Sequence, residues 1–334
     1  MNNSSLLLYI YFPFSSGASG GGNNFLKSLK SKFKENNQLA QSIDDAHVII
    51  FNSHHAYRDI YKLKAKYPEK AFIQRIDGPM SAYNNSGDVR DYIVKRLSED
   101  IADASIFQSD WCKKENDKYN VTSGNTESTV IWNAPNPQYF NFKKVSEDAP
   151  KKKIVSTGWS VNKNKGSDTY LWLDKNLDFN HYEMDFIGNT ELEFKNIKLV
   201  KPMSPEELGA KLHEYDYYIF PSRTEACSNA LMEALHSGLP TIAFNGSSNL
   251  EIIPDKKWLF KSEAEIPSII SYMKENYSHC HKKIRMPSLE EITNHYYLFS
   301  LKISEKKKRK SVNNYTTLKA LFLINLMKIK AKIV

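Results

Sequence analysis

Cysteine is scarce in this chain, and what there is does not pair. Cys112, Cys227 and Cys280 are the three cysteines among 334 residues. They are far apart, odd in number and free of any C-x-x-C pattern. That excludes a disulfide framework and a cysteine zinc site, and it fits a reducing cytoplasm. Long apolar runs are also missing. No stretch approaches about 18 consecutive apolar residues, so no membrane-spanning helix is expected. The opening MNNSSLLLYIYFPF has no basic segment ahead of its apolar run, which Pro13 interrupts. We read Leu6–Phe12 as a buried first strand rather than a secretion signal. A charge bias is missing from most of the chain as well. Residues 304–334 carry nine Lys or Arg and one acid, which accounts for the whole net charge of +8. The rest is neutral, which argues against a nucleic-acid-binding face on the body of the protein.

What is present is a globular composition and a repeated alternation. With 41% hydrophobic and 25% charged residues, the chain lies in the ordinary range for packed domains. Its length suits two α/β domains of about 150 residues each. Short β-rich runs at 6–12, 48–52, 71–76, 104–109 and 128–133 alternate with helical patterns near 24–37, 57–67, 89–101 and from Asp110. A Pro-, Asn- and Lys-rich stretch at 135–153 reads as a linker, after which the alternation restarts. Runs at 153–158, 184–188, 198–201, 217–222, 241–244 and 257–260 enclose helical patterns at 167–174, 205–214, 228–237 and 265–276. Ser204 is placed to cap the second of these helices, and Gly238 and Pro240 to stop the third. Strands and helices spaced in this way predict an α/β chain of two doubly wound parallel sheets. Ligands of such sheets bind outside the carboxyl ends of the strands, so the loops after the strands should line a cleft. The expected organisation is a domain over 1–148, a second over 149–287, a helix over 288–303 and a basic amphipathic tail over 304–334.

The strongest chemical signal is PSRTEACSNALMEALHSGLP at 221–240. Glu225 lies in the loop after a strand, and Glu233 lies on the second turn of the following helix. The amides of Ala226, Cys227 and Ser228 stand near the N-terminus of that helix, where unpaired N–H groups and partial positive charge suit a diphosphate or sugar hydroxyls. A carboxylate on the same helix can accept two hydrogen bonds from vicinal ribose hydroxyls. The plainer alternative is an amphipathic helix with solvated glutamates. A second signal is STGWSVNKNKGSDTY at 156–170, where Lys165 supplies a point charge and Gly166 permits close backbone approach, although a Lys- and Asn-rich loop is often only solvated. A third is the Gly-rich stretch SSGASGGGNNFL at 15–26, with a tight turn as the plain reading. A fourth is the pair FNSHH at 51–55 and QRIDGP at 74–79, which puts His54, His55, Arg75 and Asp77 after strands. Ser109 and Asn133 also fall at strand ends.

The segment from Glu225 to Glu233 resembles the E-x7-E signature of retaining GT-B glycosyltransferases, the glycosyl transferases group 1 or glycosyltransferase family 4. The resemblance spans residues 5–303, with its other motifs in the family's order. It implies two Rossmann-like domains, the first on the acceptor side and the second binding the nucleotide sugar, with the 288–303 helix returning to the first. Carried over, Glu225 lies beside the donor sugar and Glu233 binds the nucleotide ribose. Lys165 and Gly166 match the K-G of the family's G-R-x-x-x-x-K-G loop. The Arg position of that loop holds Trp159 or Ser160, which leaves Lys163, Arg223 or a group from the other domain to replace the guanidinium. Ser247 and Ser248 stand where the family has Gly-Gly ahead of an acid, here Glu251. Gly21 and Gly22 match the family's glycine loop. The implied catalytic residues are Glu225 and Lys165. The implied donor-binding residues are Gly21, Gly22, Ser160, Gly166, Arg223, Ala226, Cys227, Ser228 and Glu233, with His54, His55, Arg75 and Asp77 as acceptor-side candidates. No D-x-D motif stands in a metal-binding context, and the resemblance implies transfer from a UDP- or GDP-sugar to a hydroxyl with retention and without a metal or other cofactor.

The tail adds a partner. Leucines and isoleucines interspersed with Lys after KKKRK at 306–310 suggest an interfacial helix on an anionic membrane surface, against the alternative of a solvated tail. Together these features predict an enzyme at the inner face of the cytoplasmic membrane that builds bacterial surface polysaccharide, capsule or lipopolysaccharide, on a glycan or lipid-linked acceptor. The competing readings are a nucleotide-sugar epimerase or hydrolase of the same fold, which would turn over without acceptor, and a non-catalytic protein binding nucleic acid or lipid.

Overall fold

In the computed structural model, the residues described are 6–15, 21–84, 87–122, 127–142, 151–158, 163–306 and 308–333. The chain divides into two compact units. The first comprises Met1–Phe14, Leu26–Trp132 and Glu290–Val334, and the second Ser15–Phe25 and Asn133–Leu289.

The opening part of the chain runs β1 (Leu8–Tyr11), α1 (Gly21–Glu35), β2 (Val48–Asn52), α2 (Tyr57–Lys66), β3 (Ala71–Ile76), α3 (Met80–Asn84), α4 (Val89–Asp100), β4 (Ala104–Phe107), α5 (Asp110–Lys118) and β5 (Glu127–Val130). The five strands pair in sequence order, all parallel. Every residue of β2, β3 and β4 is buried, as a parallel sheet covered on both faces requires. Caps set the helix starts. The Asp88 carboxylate accepts from the Arg90 amide ahead of α4, and the Ser109 hydroxyl from the Cys112 amide ahead of α5. Strand β5 ends earlier than the apolar run suggests. Ile131 still donates to the Phe107 carbonyl at 2.9 Å, but the chain then leaves the ladder ahead of Pro135.

The remainder runs β6 (Lys152–Gly158), α6 (Ser167–Asn176), β7 (Tyr182–Gly188), β8 (Lys198–Val200), α7 (Pro205–Leu212), β9 (Tyr217–Phe220), α8 (Asn229–His236), β10 (Thr241–Phe244), α9 (Asn249–Ile252), β11 (Leu259–Phe260), α10 (Ile266–Glu275), α11 (Tyr277–Lys283), α12 (Leu289–Ser304) and α13 (Asn314–Ile333). Its six strands form a parallel sheet in the order β11-β10-β9-β6-β7-β8. Strands β6 and β7 end side by side at Gly158 and Gly188. A Cβ on Gly188, whose φ is +142°, would fall 1.8 Å from the Gly158 carbonyl oxygen, so only glycine allows these strand ends to meet. Ser204 and Glu207 form a reciprocal capping box on α7. Only Leu259–Phe260 of the expected 257–260 strand pairs, because Asp255 caps a tight turn over Lys256–Trp258 that buries the indole of Trp258.

The tail departs from expectation. Helix α13 is not a free appendage but packs on α2 and α4. Val312, Ala320 and Ile324 join Ile49, Phe51, Ile60, Phe72, Ile93 and Leu97 in one core. The segment leading into the helix is pinned by Asp103. That carboxylate accepts from the Phe72 amide, the buried Lys64 ammonium and the Lys310 amide, while the Lys310 ammonium donates to the Ser98 carbonyl at 2.6 Å. Burying Ile324 alone is worth about 2 kcal/mol, so removing residues 304–334 would open the first unit's core rather than trim a solvated end.

Candidate functional site

Two polar clusters form where strands give way to loops, one in each unit. In the second unit, β9 ends at Phe220 and the chain turns through Pro221–Ser228 into α8. Glu225 sits in this turn with its side chain 9% exposed, and Lys165, 39% exposed, approaches from the loop after β6. The Lys165 ammonium donates to Glu225 Oε1 at 2.5 Å, and the Ser222 hydroxyl donates to the same oxygen at 2.6 Å. The turn itself is held from several directions. Arg223 donates its amide to the Asn164 carbonyl, and Ser248 donates its amide to the Glu225 carbonyl. Asn249 Nδ2 bridges the carbonyls of Ser222 and Phe244 at 3.0 and 3.1 Å.

Gly166 has φ of +87°, and a Cβ there would lie 2.5 Å from the Pro221 ring. The glycine is therefore needed for the β6 loop to pack against the turn that carries Glu225, whatever else it approaches. Arg223 is half-exposed, lies 4.8 Å over the Phe244 ring and pairs with Glu263 at 3.4 Å. Lys163 is exposed. Ala226 and Cys227 are buried, and Ser228 is the N-cap of α8 without a side-chain capping bond. The Asn133 amide group donates to the Cys227 carbonyl at 2.9 Å. Glu233 lies one turn into α8, where burial raises its carboxyl pKa to about 8. Beneath the turn, the Tyr218 and Thr157 hydroxyls share a 2.6 Å hydrogen bond. Burial pushes the Tyr218 phenol far above its usual range.

In the first unit, Arg75 on β3 is completely buried. One of its terminal nitrogens donates to Asn52 Oδ1 at 2.6 Å and to Asp77 Oδ1 at 3.0 Å. Asn52 Nδ2 donates to Asp77 Oδ2 at 3.0 Å, and Gln108 Nε2 donates to Asp77 Oδ1 at 2.5 Å. Asn116 Nδ2 donates to the Asp77 backbone carbonyl at 3.1 Å. With so many partners, the Asp77 side chain remains 29% exposed. His54 and His55 stack with centroids 4.4 Å apart, and His55 Nδ1 lies 3.1 Å from the Asn52 carbonyl. Burial, then the neighbouring His55, lowers the His54 pKa to about 4, so its imidazole is neutral at physiological pH.

The structure thus gathers Lys165, Gly166, Arg223, Glu225, Ala226, Cys227 and Ser228 around one turn, with Glu233 on the adjoining helix, and gathers His54, His55, Arg75 and Asp77 around another. Gly21 and Gly22 lie in the first turn of α1 rather than in a loop, and a Cβ on Gly22 would meet nothing within 4 Å. Ser160 and Trp159 lie outside the described residues. Sequence reasoning passed over Ser222, Tyr218 and Thr157. Ser222 stands three residues before Glu225, a spacing that closes a hydrogen bond only once the turn is formed. Ser247 and Ser248 carry buried hydroxyls with no partner among the described residues. No cluster of three or more metal-ligating side chains occurs among the described residues, and no described helix is long and apolar enough to cross a membrane.

Residues 180–284 match the family described as Glycosyl transferases group 1. No curated protein matches the sequence. Among solved structures, sucrose-phosphate synthase from Thermosynechococcus elongatus aligns with a TM-score of 0.62 at 10% identity, covering 98% of this chain and 100% of that one. HepE of Anabaena in complex with UDP aligns at 0.63 and 11% identity, covering 90% and 97%. The pneumococcal O-GlcNAc transferase GtfA in complex with UDP and GlcNAc aligns at 0.56 and 13% identity, covering 78% of this chain and 57% of that one. The shared fold is GT-B, two Rossmann-like parallel-sheet units. The family match and this fold together support a hexosyltransferase enzyme.

Proposed function

We propose that the chain transfers a hexose from a UDP- or GDP-sugar to a hydroxyl acceptor with retention of configuration, as a member of glycosyltransferase family 4. The observation that carries this reading is the Lys165–Glu225–Ser222 group at the start of α8, with Glu233 one turn along the same helix. Lys165 presents its ammonium at the surface while Glu225 lies beneath it, so the site offers positive charge outward to an anionic ligand. The helix start near Ala226–Ser228 adds partial positive charge there.

In the reaction, the bond from the anomeric carbon to the distal phosphate oxygen breaks and the bond to the acceptor oxygen forms on the same face. The acceptor's proton passes to the departing phosphate. Negative charge grows on the diphosphate as the sugar gains oxocarbenium character, and Lys165 with the helix amides stabilises that charge. Glu225 holds Lys165 in place and lies beside the donor sugar. Glu233 receives the ribose hydroxyls. Asp77, held by Arg75 and exposed on one side, presents a carboxylate to hydroxyls of the acceptor, with His54 and His55 beside it. The UDP in the Anabaena and pneumococcal structures supports a uridine donor. This chemistry uses no metal. The basic segment 304–334 suits contact with an anionic membrane surface, and a lipid-linked acceptor in bacterial surface-polysaccharide assembly at the inner face of the cytoplasmic membrane fits that placement.

A thermal-shift series with UDP, GDP, ADP and CMP in a chelating buffer tests the donor site. A ligand that binds the native state alone raises its melting temperature. One diphosphate is expected to stabilise the chain, and Glu233→Ala to abolish that shift. A folded chain that responds to none of them overturns the assignment of Lys165, Glu225 and Glu233.

A further inference from the structure

Helix α13 is apolar on two opposite faces, and only one of them is covered. Ala320 and Ile324 are completely buried in the first unit's core. On the other side Tyr315, Leu318, Phe322 and Ile329 are 73%, 67%, 64% and 59% exposed, and Leu326 joins them at 36%. These five residues follow one another at steps of three or four, which puts them on a single stripe about four turns long. More than half of the exposed large apolar side chains among the described residues lie on α13. Helices that are apolar all round are normally enclosed on all sides. Here the covered face fixes the helix to the protein and holds the open face outward as a ridge.

The charge around the ridge says what covers it. No acidic residue occurs from Lys306 to Val334. Lys308 and Lys319 are exposed, and Arg58, exposed on α2, donates to Asn325 Oδ1 at 3.2 Å beside the ridge. Elsewhere the chain is neutral, so the strong charge excess and the apolar ridge coincide. A second copy of this chain would bring base against base. An anionic lipid surface supplies the opposite charge and a hydrocarbon phase at the same time.

We propose that the Tyr315–Leu318–Phe322–Leu326–Ile329 ridge is a membrane-insertion face, by which the first unit docks on an anionic lipid bilayer with α13 lying in the interface plane. This rests on the reading of residues 304–334 as a membrane contact and is independent of the donor site. It deepens that reading in one respect: the basic residues attract the protein, and the ridge holds it. The covered face of α13 also makes the attachment rigid, because the helix that enters the lipid is itself part of the first unit's core. Tyr315 at one end carries an amphipathic ring of the kind found at the headgroup level.

Co-sedimentation of the full chain with vesicles tests the proposal. Phosphatidylcholine vesicles containing phosphatidylglycerol are expected to bind it, and pure phosphatidylcholine vesicles to bind it poorly. The double variant Leu318→Asp/Phe322→Asp changes exposed side chains only and should weaken binding about a hundredfold, from lost apolar insertion and added negative charge. Its melting temperature and nucleotide response should stay as in the parent. Phe322→Trp should retain binding, which separates insertion from any general sensitivity of the helix. If the parent ignores anionic vesicles, membrane contact by this segment fails while the nucleotide shift still reports on the donor site. Should the parent bind and the double variant bind equally well, the ridge is not the insertion face. A lipid-independent dimer of the parent that the double variant breaks would assign the ridge to a second copy and overturn the proposal.

Discussion

The two units carry ion pairs of opposite arrangement. In the second unit the carboxylate is enclosed and the cation faces out, with Glu225 9% exposed beneath Lys165 at 39%. In the first unit the cation is enclosed and the carboxylate faces out, with Arg75 fully buried behind Asp77 at 29%. The hidden partner in each case compensates and orients the visible one, and the visible one sets which ligand the unit can receive. An outward ammonium beside helix amides suits a diphosphate. An outward carboxylate beside the neutral His54 imidazole suits neutral hydroxyls. Two sheets of the same kind thus present opposite charge because each hides a different member of its pair.

Stability should suffer most where the change strands a hidden charge. Arg75→Met keeps the volume but leaves Asp77, Asn52 and Gln108 arranged around a missing charge. Asn52 Oδ1 then loses a buried donor while Asp77 can regain water, so urea unfolding should register a loss of about 1–3 kcal/mol. Lys165→Met removes the exposed member of the other pair. Glu225, 9% exposed, is then left without its counter-charge and with Ser222 still donating to it, so unfolding should register a loss of about 3 kcal/mol or more. Turnover with a nucleotide sugar should fall about 10²- to 10³-fold if Lys165 stabilises the departing diphosphate. Initial rates and denaturation curves on both variants check the contrast, and an unfolding effect for Lys165→Met smaller than that for Arg75→Met would erase it.

A smaller effect concerns Glu233, whose carboxyl pKa is raised to about 8 by burial. In the free protein the protonated form is favoured, so this group's contribution to stability is greatest below the unfolded carboxylate pKa and is lost as pH rises towards 8. Ribose hydroxyls that donate to the carboxylate favour its ionised form and must displace the proton. Nucleotide affinity should therefore strengthen with pH up to about 8, by at most about tenfold per unit, and then level off. Glu233→Gln should bind weakly and lose the slope. Isothermal titration at a series of pH values reads both, and a flat profile in the parent would mean that the carboxyl does not meet the ribose.

Much of the fold was legible in residue pattern. Short runs rich in apolar and β-branched residues, such as VIIFN and AFIQRI, suit a sheet covered on both faces, and they became β2 and β3 with the expected bounds. The site was legible as a set of residue names but not as a set of relations. Lys165 and Glu225 stand 60 positions apart, and nothing in either segment states that they meet. Gly166 reads in sequence as room for a phosphate, whereas the fold gives it a nearer neighbour in Pro221. Arg75 reads as a residue at a loop rim, yet it is the buried counter-charge of the residue that does reach the surface.

The tail marks the same division most plainly. Sequence alone determined that residues 304–334 hold the charge excess, that apolar residues recur among the lysines, and that two parallel sheets precede them. Those facts follow from composition and period, which are local. Only the tertiary structure decided that Ala320 and Ile324 turn inward while Leu318 and Phe322 turn outward. A helix apolar on two opposite faces has no single preferred face of its own. The core offered by α2 and α4 selects one face, and the opposite face is exposed as a consequence.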